Sequence, residues 1–150
     1  MRKNLLDKTT AEEIVTRAKS LQRTDKGNWG TMEVTEMLHH CNLANKQILH
    51  GDIEYKKSSL KQHLLRFLSL YIVPKFLKNI KGAERNDTKG KISADEFEQE
   101  KIKFISLIHQ FATHKDPIEL THPAFGNLKT RQWGVAAWMH MDHHLRQFGA

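Results

Sequence analysis

The chain has a single cysteine, Cys41, in 150 residues. A lone cysteine excludes a disulfide within the chain and fits a reducing compartment, and its place on an apolar helix face predicts a buried packing residue rather than a nucleophile. The longest apolar run, residues 64–73, contains Arg66 and Ser69 and is far shorter than the ~20 residues that cross a bilayer. No apolar stretch follows the positive charges at the start of the chain, so no signal peptide is indicated. These absences predict a soluble, cytoplasmic protein without a membrane partner.

The sequence also lacks a basic patch, although its charge is unbalanced. The formal net charge is +7, with 24 Lys and Arg against 17 Asp and Glu. The cations are scattered along the chain and mixed with acidic residues, and no basic patch interleaved with aromatic residues is visible. This pattern argues against dedicated binding of DNA or RNA. The excess positive charge can instead favour an anionic small-molecule substrate or a thiol cosubstrate.

Helical periodicity recurs along the chain, whereas strand patterns, internal repeats and low-complexity tracts are not evident. Capping-box sequences at residues 10–13 and 93–96 introduce apolar residues at helical spacing. Thr31 is expected to cap a second helix that Gly51 closes. Thr130 is expected to cap the final helix.

A strongly apolar segment follows Ser58 and Ser59. Its apolar residues, between positions 60 and 73, predict a core helix that Pro74 kinks or ends. Polar connections are expected at residues 82–92 and between the fourth and final helices.

The second of these connections, residues 114–130, is long enough to suggest a functional loop. Together these signals predict one all-α domain over residues 1–150. Its architecture is expected to be a four-helix bundle with an extra short helix, a fold in which metal sites form between facing helices.

Two histidines four residues apart lie in the final helical segment, in the sequence HMDHH at 140–144. On a helical wheel that starts at Trp133, His140 falls at about 340° and His144 at about 20°, both within the apolar stripe. Inward imidazoles need polar partners, because a buried polar ring without one is costly. His140 and His144 are therefore candidates to bind one metal ion together. The alternative is that both rings pack in the core with ordinary hydrogen bonds.

A third ligand is sought in the second helix, where two histidines are adjacent. A wheel that starts at Val34 places His40 at the border of the apolar face, whereas His39 points away from it. The wheel therefore favours His40, although the doubled histidine leaves this choice to geometry alone. Three neutral imidazoles leave one coordination position for water or substrate, as in catalytic metal sites. Rings more than about 10 Å apart would exclude a shared ion, because bonds of ~2 Å cannot span that distance.

The segments around these histidines resemble the DinB/YfiT-like superfamily of metalloenzymes. The resemblance rests on MLHHC at 37–41 and on the stretch 122–149, which is similar to a subgroup with an HPxFG…HxxHHLRQFG ending. It implies the same helical bundle and a divalent metal held by His40, His140 and His144. Zinc or nickel is the first expectation for that metal, with manganese, iron or cobalt as alternatives.

The same resemblance implies an enzyme that uses a low-molecular-weight thiol, such as bacillithiol or mycothiol, in S-transfer or isomerisation. A divalent ion can lower the pKa of a bound water or stabilise a bound thiolate, and the sequence does not choose between these roles. A metal-dependent hydrolase is one alternative. A non-catalytic, stress-related metal-binding protein is another, because fold and family do not fix chemistry.

Three further residues are candidates for catalysis. His122 is a candidate acid or base, or it holds the shape of its loop. His143 can orient a ligand or substrate, or it can hydrogen-bond to a neighbouring helix. Arg146 is a candidate contact for an anionic substrate. Asp142 is expected to face solvent or a partner subunit. Similar bundles commonly form homodimers, but the sequence alone shows no interface patch and does not give the oligomeric state.

Overall fold

The computed structural model describes residues 2–51, 57–73, 75–78 and 86–150. Within them the chain is mostly helical, which confirms the predicted all-α bundle. The helices are α1 (Lys8–Ser20), α2 (Val34–His50), α3 (Leu60–Phe67), α4 (Phe97–Thr113) and α5 (Thr130–Gln147). A π-helical turn, Leu68–Ile72, continues α3, and a 3₁₀ turn, Ala94–Glu96, precedes α4.

The core lies where α4 packs against α1 and α2, with α5 against α1 and α2. All four helices contribute side chains that are fully buried, among them Ile14, Met37, Leu38, Phe104, Ile108, Phe111, Met141 and Leu145. Burial of each such side chain contributes about 1.5–3 kcal/mol. The helices that carry the candidate ligands, α2 and α5, are thus parts of one packed core.

Several helix boundaries confirm the sequence signals. Gly51 is the C-cap of α2, and Ser59 caps α3 by accepting the backbone N–H of Gln62. Ser93 caps the turn that leads into α4, and α4 ends at Thr113 as expected.

Three predicted caps are wrong. The N-cap of α1 is Asp7, and Thr10 is a buried residue within the helix. The N-cap of α2 is Glu33 rather than Thr31. Thr130 is the first residue inside α5 rather than its cap. In each case another polar residue lies within three positions of the predicted cap, and propensity alone does not select between them.

Helix α3 is not the core helix that its composition predicts. None of its eight residues is buried. Its polar side faces the rest of the chain, because Gln62 donates to the carbonyl of Pro123 and Arg66 donates to the carbonyl of Asn127. The apolar side of α3 therefore faces outward.

The loop before α5 contains a short hairpin that the sequence does not show. Strands β1 (Thr121–His122) and β2 (Gly126–Asn127) pair antiparallel. Gly126 has a φ of 68°, a left-handed conformation, and a Cβ at this position would overlap the side chain of Ser58. The Ser58 hydroxyl accepts the N–H of Asn127 at 2.7 Å, which ties the hairpin to the start of α3.

The residues before α1 anchor the first turns of α5. Leu5 donates its N–H to the carbonyl of Gly134 at 3.1 Å, and the buried Asn4 side chain donates to the carbonyl of Arg131. A Cβ at Gly134 would overlap the Asn4 side chain, so this close approach requires glycine. The contact fixes the position of the helix that carries His140 and His144.

Two predicted features lie outside the described residues: the break at Pro74, and residues 82–85 of the polar connection. Within the described parts, no helix combines the length and the apolar character that crossing a membrane requires.

Candidate metal centre

Three histidines from α2 and α5 converge. His40 lies on α2, and His140 and His144 lie one turn apart on α5. The Nε2 atoms of His40 and His140 are 3.0 Å apart, and one ring nitrogen from each of the three histidines lies within 4.8 Å of the others. Among the residues that the structure describes, this is the one group of His, Cys, Asp or Glu side chains that could hold a metal ion.

The three rings are arranged around a shared point. Each pair of rings is edge to face, with centroids 4.8–5.0 Å apart and interplanar angles of 69–83°. Imidazole nitrogens bind zinc at about 2.0–2.1 Å, so two ligands of one ion lie at most ~4 Å apart. In a tetrahedral site two such nitrogens lie ~3.3 Å apart, so a nitrogen pair at 4.8 Å needs to close by about 1.5 Å, a movement that side-chain rotation can supply.

Hydrogen bonds fix the tautomers of two of these rings. The Nδ1–H of His40 donates to the carbonyl of Asn86 at 2.7 Å, and the Nδ1–H of His144 donates to Oε1 of Gln147 at 2.9 Å. A carbonyl oxygen only accepts, and a neutral imidazole has one N–H, so the Nε2 atoms of both rings carry lone pairs. The lone pair of His40 faces Nε2 of His140 at 3.0 Å. The Gln147 amide is itself oriented, because its Nε2 donates to the carbonyl of Trp29 at 2.8 Å. This is the arrangement that positions histidine ligands in metalloproteins.

The environment keeps all three imidazoles neutral. Burial, aided by nearby His40, lowers the pKa of His144 to about 3. Burial, and then the neighbouring histidines, hold the pKa of His140 well below its usual value. Burial also lowers the pKa of His40, although its hydrogen bond to Asn86 opposes the shift. Neutral imidazole is the form that binds metal, so at neutral pH the ligands need not lose a proton first.

The carbonyl that orients His40 belongs to a segment that is tied to α2. The side chain of Asn86 accepts a hydrogen bond from Gln47 at 2.8 Å. The buried Thr88 hydroxyl donates to the carbonyl of Glu36 at 2.7 Å. These bonds fix the segment against the helix, so the acceptor for His40 is held in place.

His39 takes no part in the cluster. Its Nδ1 lies 3.0 Å from Oε2 of Glu100, a buried residue on α4. The adjacent histidines thus point to different helices. The expectation that His39 points away from the core is wrong, because its partly buried side chain contacts α4. His40 is the one that reaches α5.

His143 is adjacent to the cluster but is engaged elsewhere. Its ring centroid is 5.1 Å from that of His144 and 5.5 Å from the Trp29 ring. The ring hydrogen-bonds to the backbone of Phe76, and burial, with a smaller effect of Arg146, lowers its pKa. Its Nδ1 is buried and has no hydrogen-bond partner in the described part of the chain. The structure thus indicates that His143 contacts a neighbouring segment and does not join the three clustered histidines.

Arg146 and Asp142 form an ion-pair network with α1. Arg146 Nε donates to Asp142 at 2.8 Å, and Arg17 Nη1 donates to the other carboxylate oxygen at 2.9 Å. The expectation that Asp142 faces solvent or a partner subunit is wrong, since its carboxylate is buried between two guanidinium groups. Burial alone would raise the pKa of Asp142, but these two arginines hold it below its usual value. Nη2 of Arg146 is buried, and no described residue accepts from it.

His122 shapes the hairpin turn. Its Nδ1 accepts the backbone N–H groups of Ala124 and Phe125 at 3.1 and 3.2 Å. Its ring stacks on that of Phe125 with centroids 4.3 Å apart. This is the loop-holding role that the sequence left open beside the catalytic one.

Cys41 supplies no ligand to the cluster. It is fully buried on α2, and burial raises the pKa of its thiol. The prediction of a packing residue is confirmed.

A cavity of about 260 Å³ lies at the C-terminal end of α2. Its walls include Ile48, Leu49, Ile118 and Leu120, and none of the three clustered histidines. The cavity therefore adds nothing to the chemistry of the histidine cluster.

Two hydrogen-bond partners of the clustered histidines, Gln147 and the carbonyl of Asn86, were not identified as such from the sequence. Gln147 could have been found, because it lies three residues after His144 on the same helix. Asn86 could not, since it acts through its backbone carbonyl and belongs to a loop.

Comparison with known proteins gives one family. The model of the family described as "Protein of unknown function (DUF1569)" matches residues 1–150. No curated protein and no solved structure matches the chain.

Proposed function

We propose that this chain, which belongs to the DUF1569 family, binds one divalent metal ion through His40, His140 and His144. One observation carries the proposal: Nδ1 hydrogen bonds to Asn86 and Gln147 leave the Nε2 lone pairs of two imidazoles beside the third ring. Without a cation, three neutral and mostly buried rings lie together, and few N–H groups are present to hydrogen-bond to their acceptor nitrogens. Such an arrangement is costly unless a further group binds there.

The ligand chemistry favours zinc or nickel. Imidazole suits zinc, nickel, copper and iron, whereas sets rich in carboxylates suit magnesium, calcium and manganese. The cluster contains three imidazoles and no carboxylate or thiolate. Ligand type therefore ranks manganese last, and the DinB-like resemblance places zinc and nickel ahead of iron and cobalt.

The charge of the site favours an anionic partner. Three neutral ligands leave the two positive charges of the ion uncompensated, and three ligands leave a coordination position open in a tetrahedral site. His40 and His140 are only partly buried, so the cluster is not sealed from solvent. A divalent ion held by His40, His140 and His144 would act there as a Lewis acid and lower the pKa of a water or a thiol.

We further propose that the anionic partner is a low-molecular-weight thiol and that the reaction is S-transfer or isomerisation. The support is the DinB-like resemblance together with the uncompensated charge. In an S-transfer, the thiol loses its proton to solvent and the sulfur forms a bond to an electrophilic carbon. The leaving group departs with the electrons of the bond that breaks. Arg146 and His143 are proposed contacts for the polar groups of the cosubstrate, since each has one buried nitrogen that no described residue pairs.

Elemental analysis tests the metal site. Wild-type protein loaded with zinc or nickel and then desalted is expected to retain about one ion per chain. His40→Ala, His140→Ala and His144→Ala are expected to lose it. His39→Gln is the matched control, because His39 neighbours His40 and pairs with Glu100 instead. Loss of the ion from His39→Gln but not from His40→Ala would contradict the ligand assignment.

A thiol-transfer assay tests the reaction separately. Turnover of a small thiol with an electrophile is expected in the loaded protein and is expected to stop on chelation. Activity that survives complete metal removal would refute a metal-dependent enzyme. Product formation without thiol consumption would indicate hydrolysis, and metal retention without any turnover would indicate a non-catalytic metal-binding protein.

A further inference from the structure

Helix α3 and its continuing turn expose a stripe of large apolar side chains. We call this stripe the α3 patch, and its members are Leu60, Leu64, Phe67, Leu68, Tyr71 and Ile72. Their exposed fractions range from 40% to 87%. The first five lie at relative positions 0, 4, 7, 8 and 11, the spacing of one helix face. The amphipathic pattern is therefore normal, but its apolar side points away from the molecule.

Polar contacts hold the helix in this orientation. Gln62 and Arg66, on the opposite side of α3, donate to backbone carbonyls of the hairpin region. The hydroxyl of Tyr71 accepts a hydrogen bond from Gln132 on α5 at 3.0 Å. Rolling the apolar face inward would break these bonds, so the patch stays outside.

We propose that the α3 patch docks on the same patch of a second copy of this chain. The exposed fractions correspond to roughly 700 Å² of apolar residues, more than the 300–600 Å² of the largest patch on a typical monomer. That area approaches the ~800 Å² that each partner contributes to a standard interface. A two-fold axis lets one apolar surface cover itself, which is the usual arrangement in homodimers.

The charges around the patch favour a second copy over a membrane surface. Helices that lie on anionic membranes carry rows of Lys and Arg beside their apolar face. Helix α3 itself has one such residue on its exposed side, Lys61, because Arg66 is turned inward to the carbonyl of Asn127. The exposed Lys57 and Lys75 lie beyond the two ends of the patch rather than in a row beside it. The patch is thus nearly uncharged, as the centre of a homodimer interface is. This inference does not depend on the metal proposal.

Sedimentation of wild-type, Leu64→Glu and Ile102→Glu proteins tests the interface. Wild type is expected to sediment as a dimer at micromolar concentration. Leu64→Glu is expected to raise the dissociation constant by about 30-fold or more, because it places a charge at the centre of the contact. Ile102 on α4 is the matched control: it is 67% exposed and lies outside the patch, so its substitution should leave the dimer intact.

Cysteine cross-linking provides a second test that does not require destabilising the interface. Cys41 is buried, so a cysteine introduced at an exposed position supplies the accessible thiol. At least one of Leu64→Cys and Leu68→Cys, both central in the patch, is expected to form a disulfide-linked dimer on mild oxidation, and Ile102→Cys is not.

Three results would overturn the proposal. The first is a wild-type protein that remains monomeric at ~100 µM, far above the dissociation constant of a specific interface of this size. The second is equal dissociation of the Ile102→Glu and Leu64→Glu proteins. The third is binding of the wild type to phosphatidylserine vesicles that Leu64→Glu abolishes, which would assign the patch to a membrane surface.

Discussion

The side-chain amide of Gln147 joins the candidate metal centre to the loop before α2. Its oxygen accepts from His144 Nδ1, and its nitrogen donates to the carbonyl of Trp29. Gln147 is almost fully buried, at 2% exposure. It therefore sets both the tautomer and the direction of His144, and it does so from a fixed position.

Replacing Gln147 with leucine should weaken metal binding without removing a ligand. Loss of an outer-shell partner typically lowers metal affinity about 10–100-fold, and we expect a decrease in that range. Gln147→Glu keeps an acceptor for His144 Nδ1 but loses the donor to the carbonyl of Trp29, so it should bind more tightly than Gln147→Leu and less tightly than wild type. Competition with a chromophoric chelator measures the affinities, and Gln132→Leu, on the same helix, is the control. Unchanged affinity of Gln147→Leu would show that His144 is positioned by other means.

The candidate ligands differ in how far the sequence could reveal them. His140 and His144 were found because both fall within one apolar stripe, where a polar ring demands an explanation. The wheel separated His40 from His39 because adjacent residues of a helix point about 100° apart. The backbone carbonyl of Asn86 leaves no trace in residue identity, so the sequence could not supply it.

Helices α2 and α4 are joined by one buried carboxylate. Glu100 on α4 is 1% exposed, and it pairs with His39 and Asn42 of α2 and with Lys103 of its own helix. Burial alone would raise the pKa of Glu100, but the hydrogen bonds from Lys103, Asn42 and His39 more than offset it. The pKa of Glu100 therefore lies below its usual value.

This pKa shift predicts a pH-dependent stability. Because the folded protein binds the Glu100 proton more weakly than the unfolded chain, the ionised carboxylate stabilises the fold above the ordinary glutamate pKa. That contribution is lost as pH falls through the lower folded value. At pH 7, Glu100→Gln should reduce the free energy of unfolding by about 1.5–3 kcal/mol, as for hydrogen bonds to charged groups.

Urea unfolding of metal-free protein at several pH values measures this effect. The difference between wild type and Glu100→Gln should shrink as pH falls below about 4.3, the usual glutamate pKa. Glu98→Gln is the matched control, because the Glu98 side chain is 73% exposed on the same helix. A difference that stays constant from pH 7 to acid would mean that the charge of Glu100 contributes nothing.

Hydrophobic periodicity predicted where the helices form better than it predicted which surface each helix packs against. Helices α1, α2, α4 and α5 follow apolar stripes that meet in one core, so their packing agreed with the pattern. The stripe of α3 is just as regular but faces outward, because a stripe indicates that burial is needed without indicating against which surface. The hairpin β1–β2 was missed since strands of two residues carry no alternation to detect.

For the whole molecule, the candidate ligands connect distant parts of the chain. His40 and His140 are 100 residues apart in sequence and belong to two helices of the same core. An unfolded chain does not hold these imidazoles together, so a metal bound to all three stabilises the folded state.

Zinc should therefore raise the thermal midpoint of unfolding. At a free concentration of 100 times the dissociation constant, the added stability is about 2.7 kcal/mol, or about 5–10 °C for a chain of this size. Differential scanning fluorimetry of wild type and His140→Ala measures the shift, which the variant should lack. His109→Gln removes an exposed histidine of α4 and should keep the shift. An equal shift in His140→Ala would place the zinc elsewhere.

X-ray absorption spectroscopy of the zinc-loaded protein, in the absence of added thiol, tests the central claim most directly. The expected spectrum contains three imidazole ligands with nitrogen at about 2.0–2.1 Å and no sulfur at about 2.3 Å. His144→Ala, if it retains zinc at high loading, should show one imidazole fewer. A wild-type spectrum with fewer than three imidazoles, or with sulfur bound to zinc, would contradict a centre built from His40, His140 and His144.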